Sequence, residues 1–99
     1  MPLLLRHPQD LRSEFDSIRK ALPRIADEGM AAHGEGAAAL IDWVLSYEPT
    51  PDEVRLAMGK SKAQIDVWLT DDDGRPPQWH NGFWVAASWV LGETDETPT

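Results

Sequence analysis

The stretch TPDEVRLAMGKSKAQIDVWLT, Thr50 to Thr70, decides the fold. It opens as a helix start. Thr50 is an N-cap, Pro51 takes the first helical position, where its missing amide costs nothing, and Glu53 is placed to close a capping box. Val54, Leu56, Ala57 and Met58 carry that helix to Gly59, which reads as its stop. Gly59-Lys60-Ser61 is then a turn, with Ser61 capping a second short helix whose apolar residues are Ile65, Trp68 and Leu69. A joint this tight cannot lay two helices antiparallel. The pair is expected to cross steeply, with Val54 and Met58 nesting against Ile65 and Trp68, the packing of a helix-turn-helix. The reading depends on Gly59 turning the chain.

Outward from this stretch, the apolar residues Leu11, Phe15, Ile18, Leu22 and Ile25 form one stripe along a first helix. Pro8 suits its start, and Pro23 should kink or split it by removing an amide donor. The segment from Glu28-Gly29 to Gly34-Glu35-Gly36 reads as a loop, because three glycines are poor helix formers. A helix from about Gly36 to Tyr47 follows, with Leu40, Ile41, Val44 and Leu45 inward, and Glu48-Pro49 ends it. Beyond Asp71-Asp72-Asp73-Gly74, a Pro76-Pro77 start opens the last helix, about Gln78 to Leu91. Gly82 to Val90 is also apolar enough for a strand. The expected class is all-α, a small bundle of about five helices with a central helix-turn-helix and an apolar C-terminal helix. Residues 1–91 form one domain, and 92–99 are an acidic polar tail expected to be frayed and disordered.

Composition narrows the function. Ninety-nine residues carry nine Lys and Arg against seventeen Asp and Glu, a net charge of −8. A single small domain does not suit a two-lobed enzyme with a deep cleft. With no cysteine, a disulfide scaffold, a thiolate zinc site and a thiol nucleophile are excluded. His7, His33 and His80 lack metal-ligand spacing and read as surface or loop histidines. Ser46, Ser61 and Ser88 have structural explanations as helix or cap residues, so no catalytic, cofactor-binding or metal residues are assigned and the chain is read as a non-enzyme. Asp71-Asp72-Asp73-Gly74 lacks the alternation of a calcium loop and reads as a solvated helix end. Met30 and Met58 are assigned to the core. Met1 to Leu5 is too short for a signal-peptide core and no stretch reaches membrane-spanning length, which suggests a cytoplasmic protein.

The quoted stretch, with Trp68-Leu-Thr-Asp-Asp-Asp-Gly-Arg-Pro-Pro beyond it, resembles the lambda-repressor-like helix-turn-helix domains of phage repressors and small regulators, including those encoded beside anti-CRISPR genes. The resemblance covers about Ala38 to Leu91. It implies a second helix lying in the DNA major groove, with Ser61, Lys62, Ala63, Gln64, Asp66 and Val67 toward bases and phosphates and Lys60, Thr70 and Arg75 flanking them. Lys62 would pair with a phosphate or guanine, and Gln64 would read adenine. Arg55, Lys60 and Asp66 depart from the family's pattern. From Pro51 to Pro76, four basic residues face six acidic ones, a net of −2 where a DNA binder normally carries the opposite sign.

Trp79, Phe83, Trp84, Val85, Trp89 and Val90 make the last helix apolar on nearly every face. One helix of so small a domain is not expected to be buried all round by its own chain, so these six residues are read as a homodimer interface. Two functional expectations follow. The first is a phage- or mobile-element-type transcriptional regulator binding double-stranded DNA. The alternative is an acidic inhibitor built on the same fold, a DNA mimic of the anti-CRISPR type, whose carboxylates engage a basic protein partner.

Overall fold

The computed structural model describes residues 5–98 and is all-helical, with no strand among them. The first helix, α1 (Pro8–Ala21), starts at Pro8, with the His7 Nδ1 accepting from the Gln9 amide at 3.1 Å. It ends where the sequence places Pro23: the chain tightens into a 3-10 turn over Leu22–Arg24. Leu11 and Ile18 of its stripe are buried, and Phe15 and Leu22 pack partly against the core.

The segment read as a glycine-rich loop is helix. α2 runs over Glu28–Tyr47, capped by Asp27, whose Oδ1 accepts from the Met30 amide at 2.8 Å. Gly34 and Gly36 lie inside it and are buried. Their role is close packing. A Cβ on Gly36 would sit 1.9 Å from the Trp79 carbonyl oxygen, and one on Gly82 would sit 1.8 Å from that of His33. Two helices therefore meet backbone to backbone at reciprocal glycines, and this contact outweighs the roughly 1 kcal/mol that each glycine costs a helix.

The decisive stretch also differs from expectation. α3 (Pro51–Val67) is one continuous helix, so Gly59 does not turn the chain and the steep crossing is not formed. Four α-helices and a 3-10 turn replace the expected five helices. The start is as read: the Thr50 Oγ1 accepts from the Glu53 amide at 3.2 Å, and the Glu53 Oε1 accepts from the Thr50 amide at 3.1 Å. Gly59 is exposed, with no atom within 4 Å of a Cβ built on it, and Ser61, read as a cap, is buried in mid-helix. One glycine costs a helix about 1 kcal/mol, too little to stop one flanked by good helix formers and fastened at its start by a complete capping box.

α4 (Pro77–Val90) is the central element, packed most extensively on α2 and next on α3, while α1 covers α2. It ends in a Schellman turn at Gly92, φ +76°: the Glu93 amide donates to the Ser88 carbonyl and the Gly92 amide to that of Trp89. The core joins Leu11 and Ile18 to Leu40, Ile41 and Val44 of α2, Val54 of α3, and Ala86, Trp89 and Val90 of α4. Each large aliphatic side chain buried there contributes about 1.5–3 kcal/mol. Met58 packs partly against this core, but Met30, also assigned to it, is 64% exposed. No helix among the described residues is long and apolar enough to cross a membrane. The reading of Met1 to Leu5 lies, up to Leu4, outside the described residues.

Candidate functional site

The residues assigned to a DNA-reading face lie on the second half of one continuous helix and the loop after it rather than on a separate recognition helix. Ser61 is buried and cannot reach a groove. The Lys62 ammonium pairs with Asp66 at 2.7 Å, one helical turn away on the same exposed face. Gln64 is half-buried, and its Nε2 donates to the Leu69 carbonyl at 2.6 Å. Lys60, Ala63, Val67 and Thr70 are exposed. Arg75 pairs with Asp73 at 3.7 Å and lies over the Trp79 ring, 4.4 Å from its centroid. Two of the basic groups that a phosphate backbone would require are thus matched by carboxylates of this chain.

What the end of α3 brings together is apolar and acidic. Val67, Trp68 and Leu69 are 58%, 55% and 64% exposed, and Trp68, expected in the core, instead ends the helix at φ +52°. A left-handed backbone costs a bulky L-residue roughly 1–2 kcal/mol, so the ring is held outward at some expense. Val67 and Leu69 share a shallow depression of about 400 Å³ with Gln64, Thr70 and Asp71 to Asp73. Leu56, 65% exposed, lies on the Val67 face of α3, since 11 residues are close to three turns.

The adjoining loop is braced from within. The Asp71 Oδ1 accepts from the Asp73 amide at 2.9 Å and the Arg75 amide at 2.8 Å, and its Oδ2 lies 2.6 Å from the His80 Nε2. The Arg75 amide holds the Asp71 carboxyl below the usual aspartate range; partial burial opposes this, and His80 and the Asp73 amide reinforce it. Asp71 is therefore a loop brace, whereas Asp72 and Asp73 stay exposed beside the apolar residues. His80, read as a surface histidine, is mostly buried, and its Nδ1 has no hydrogen-bond partner among the described residues. His33 is half-buried near the Asn81 amide, 3.3 Å away, and burial pushes its pKa down.

No family model, no curated protein and no solved structure matches this chain. Among the described residues there is no group of three or more His, Asp or Glu arranged to hold a metal ion.

The six residues read as a dimer interface are largely taken up within the chain. Trp89 and Val90 are buried in the core, 5% and 0% exposed, and cannot form an outer seam. Trp79 and Phe83 stack on each other, ring centroids 5.4 Å apart. Trp84 and Val85 are half-buried beside Glu93, Thr94 and Glu96. The tail expected to fray instead runs back along α4. The Arg6 Nη2 donates to the Thr94 carbonyl at 2.7 Å and its Nε to the Trp89 carbonyl, with the guanidinium over the Trp89 ring; Arg55 pairs with Glu93 at 3.4 Å. Sequence reasoning missed this because Glu93 to Thr99 is polar except for Pro98, and Arg6, which fastens it, lies at the opposite end of the chain.

Proposed function

We propose that this protein is an acidic protein-binding module, whose docking surface is the end of α3 and the loop after it. The observation that carries the reading is the exposed run Val67-Trp68-Leu69 beside two exposed carboxylates, that of Asp72 and that of Asp73, the latter paired with Arg75 at the surface. Interfaces are anchored by a few aromatic and apolar side chains inside a polar rim, and Trp is prominent among such anchors. Charge supports a basic partner: from residue 26 onward, four basic residues stand against fourteen acidic ones, a net of −10. Such a field speeds encounter with a positively charged surface and repels nucleic acid. A nucleic-acid enzyme, with its basic groove, is the partner class that this charge fits. The first expectation, a DNA-binding regulator, calls for a separate recognition helix and unpaired basic side chains, whereas α3 is continuous and Lys62 is paired with Asp66.

The test compares the protein with Trp68→Gly and with Asp72→Asn/Asp73→Asn as bait in host extract. The expected result is a basic protein held by the parent, released by salt, and lost with either variant. Equal recovery by all three baits, or a gel shift of duplex DNA by the parent at low salt, would overturn the reading.

A further inference from the structure

A second surface, independent of α3, lies where the starts of α2 and α4 meet the end of α1. It is an open groove of about 580 Å³, whose lining combines apolar Ile25 and Met30 with Asp27, His33, Gln78 and Asn81. The volume is that of a site for a small ligand or short peptide. Its wall includes Pro98 of the chain's own tail. Residues 95–97 are exposed, yet Pro98, directly after them, is buried. A single buried residue at the end of an exposed extended segment is an anchor, and here the anchor is a proline ring.

We propose that this groove is a receptor site for an extended, proline-bearing segment of a partner protein, and that Pro98 is its resident intramolecular ligand. Three features support the assignment. Proline enters a binding site with its φ already fixed, so seating its ring costs little conformational entropy. An extended segment carries free carbonyls and amides, and the Gln78 and Asn81 amides offer donors and acceptors within the same groove. The groove also leaves far more room than one ring needs, so an incoming segment can fill what Thr97-Pro98 leaves open. The tail is fastened upstream by a part-buried hydrogen bond from Arg6 to the Thr94 carbonyl and by the Arg6–Asp95 and Arg55–Glu93 ion pairs, and exposed ion pairs of this kind each hold by less than about 1 kcal/mol. A partner segment can therefore displace Pro98 without unfolding the helices.

The probe is a synthetic heptapeptide of the sequence Glu93–Thr99, with a second peptide carrying glycine in place of its proline. Each is titrated into the full chain and into Pro98→Gly while backbone amide resonances are followed. The tether presents Pro98 to its own groove at an effective concentration of the order of millimolar. The expected result is that Pro98→Gly binds the proline peptide at millimolar concentration, with shifts at Met30, His33, Gly34 and Asn81. The full chain should bind it about twofold more weakly, the factor by which a millimolar tether competes with a millimolar affinity, and the glycine peptide should leave those amides unmoved. Pro98→Ala repeats the measurement without adding backbone freedom. Absence of shifts in both variants, shifts outside the groove, equal binding of the two peptides, or equal binding by parent and variants would each overturn the assignment. None of these outcomes bears on the α3 surface, since neither probe nor variants touch it.

Discussion

Gly59, Gly36 and Gly82 are the same residue in the sequence and opposite in the structure. Gly59 lies in mid-helix with open space where a Cβ would stand. Gly59→Ala should therefore stabilise the protein by about 0.5–1 kcal/mol, the helix-propensity gain alone, read as a higher denaturation midpoint. Had Gly59 been a left-handed turn, the same change would destabilise, so a lower midpoint would refute the continuous helix. Gly36→Ala and Gly82→Ala place a methyl carbon inside 2 Å of a carbonyl oxygen on the facing helix. Backbone cannot rotate away as a side chain can. Each should cost about 3 kcal/mol or more, and urea unfolding measures it. The sequence shows that glycines are present but not what faces them. Their helix-breaking cost is local and legible, whereas the close approach they permit depends on Trp79 and His33, more than forty residues away.

For whole elements, the ends were more legible than the middles. Thr50, Pro51 and Glu53 define the start of α3 because capping is a local hydrogen-bond problem solved within four residues. Pro23 ends α1 for an equally local reason. The finish of α3 was not legible, because Trp68 adopts a left-handed backbone that glycine usually fills, and nothing in its neighbours announces this. The two tryptophans at helix ends should respond differently. In Trp68→Gly, relief of the left-handed strain offsets the loss of partial packing, and stability should stay within about 1 kcal/mol of the parent. Trp89→Ala removes a buried ring and the cation–π partner of Arg6, and should cost about 3–5 kcal/mol. Chemical denaturation of both variants checks the pair. The candidate docking surface should thus be separable from the fold: Trp68→Gly loses the partner while keeping its helicity. A Trp68→Gly protein destabilised as much as Trp89→Ala would show the ring to be structural.

At the scale of the molecule, the excess of apolar surface on α4 was legible, but its cover was not. Trp79, Phe83 and Trp84 suggested a second subunit, whereas the chain places its own tail beside Trp84 and Val85 and seats Pro98 between the first turns of α2 and α4. Hydropathy patterns cannot show a polar segment doing this, because the tail is fastened by Arg6 and Arg55 from distant parts of the chain and its buried Pro98 stands alone among polar residues. The same groove also sets a pH response. Burial depresses the His33 pKa, so the folded state favours neutral imidazole. Above the ordinary histidine value of about 6.5, folded and unfolded chains are both neutral there, and the site is indifferent to pH. As the pH falls through that value, the unfolded chain takes up a proton that the folded chain resists, and stability drops until the depressed folded pKa is passed. Partial neutralisation of the −8 charge acts the other way, by relieving repulsion across the surface. The two effects separate on comparison with His33→Gln, which keeps the surface charge and removes the titrating ring. Between pH 7.5 and 5.5 the parent's melting temperature should fall relative to that of His33→Gln. Parallel melting curves across that range would mean that His33 is as well solvated in the folded chain as in the unfolded one.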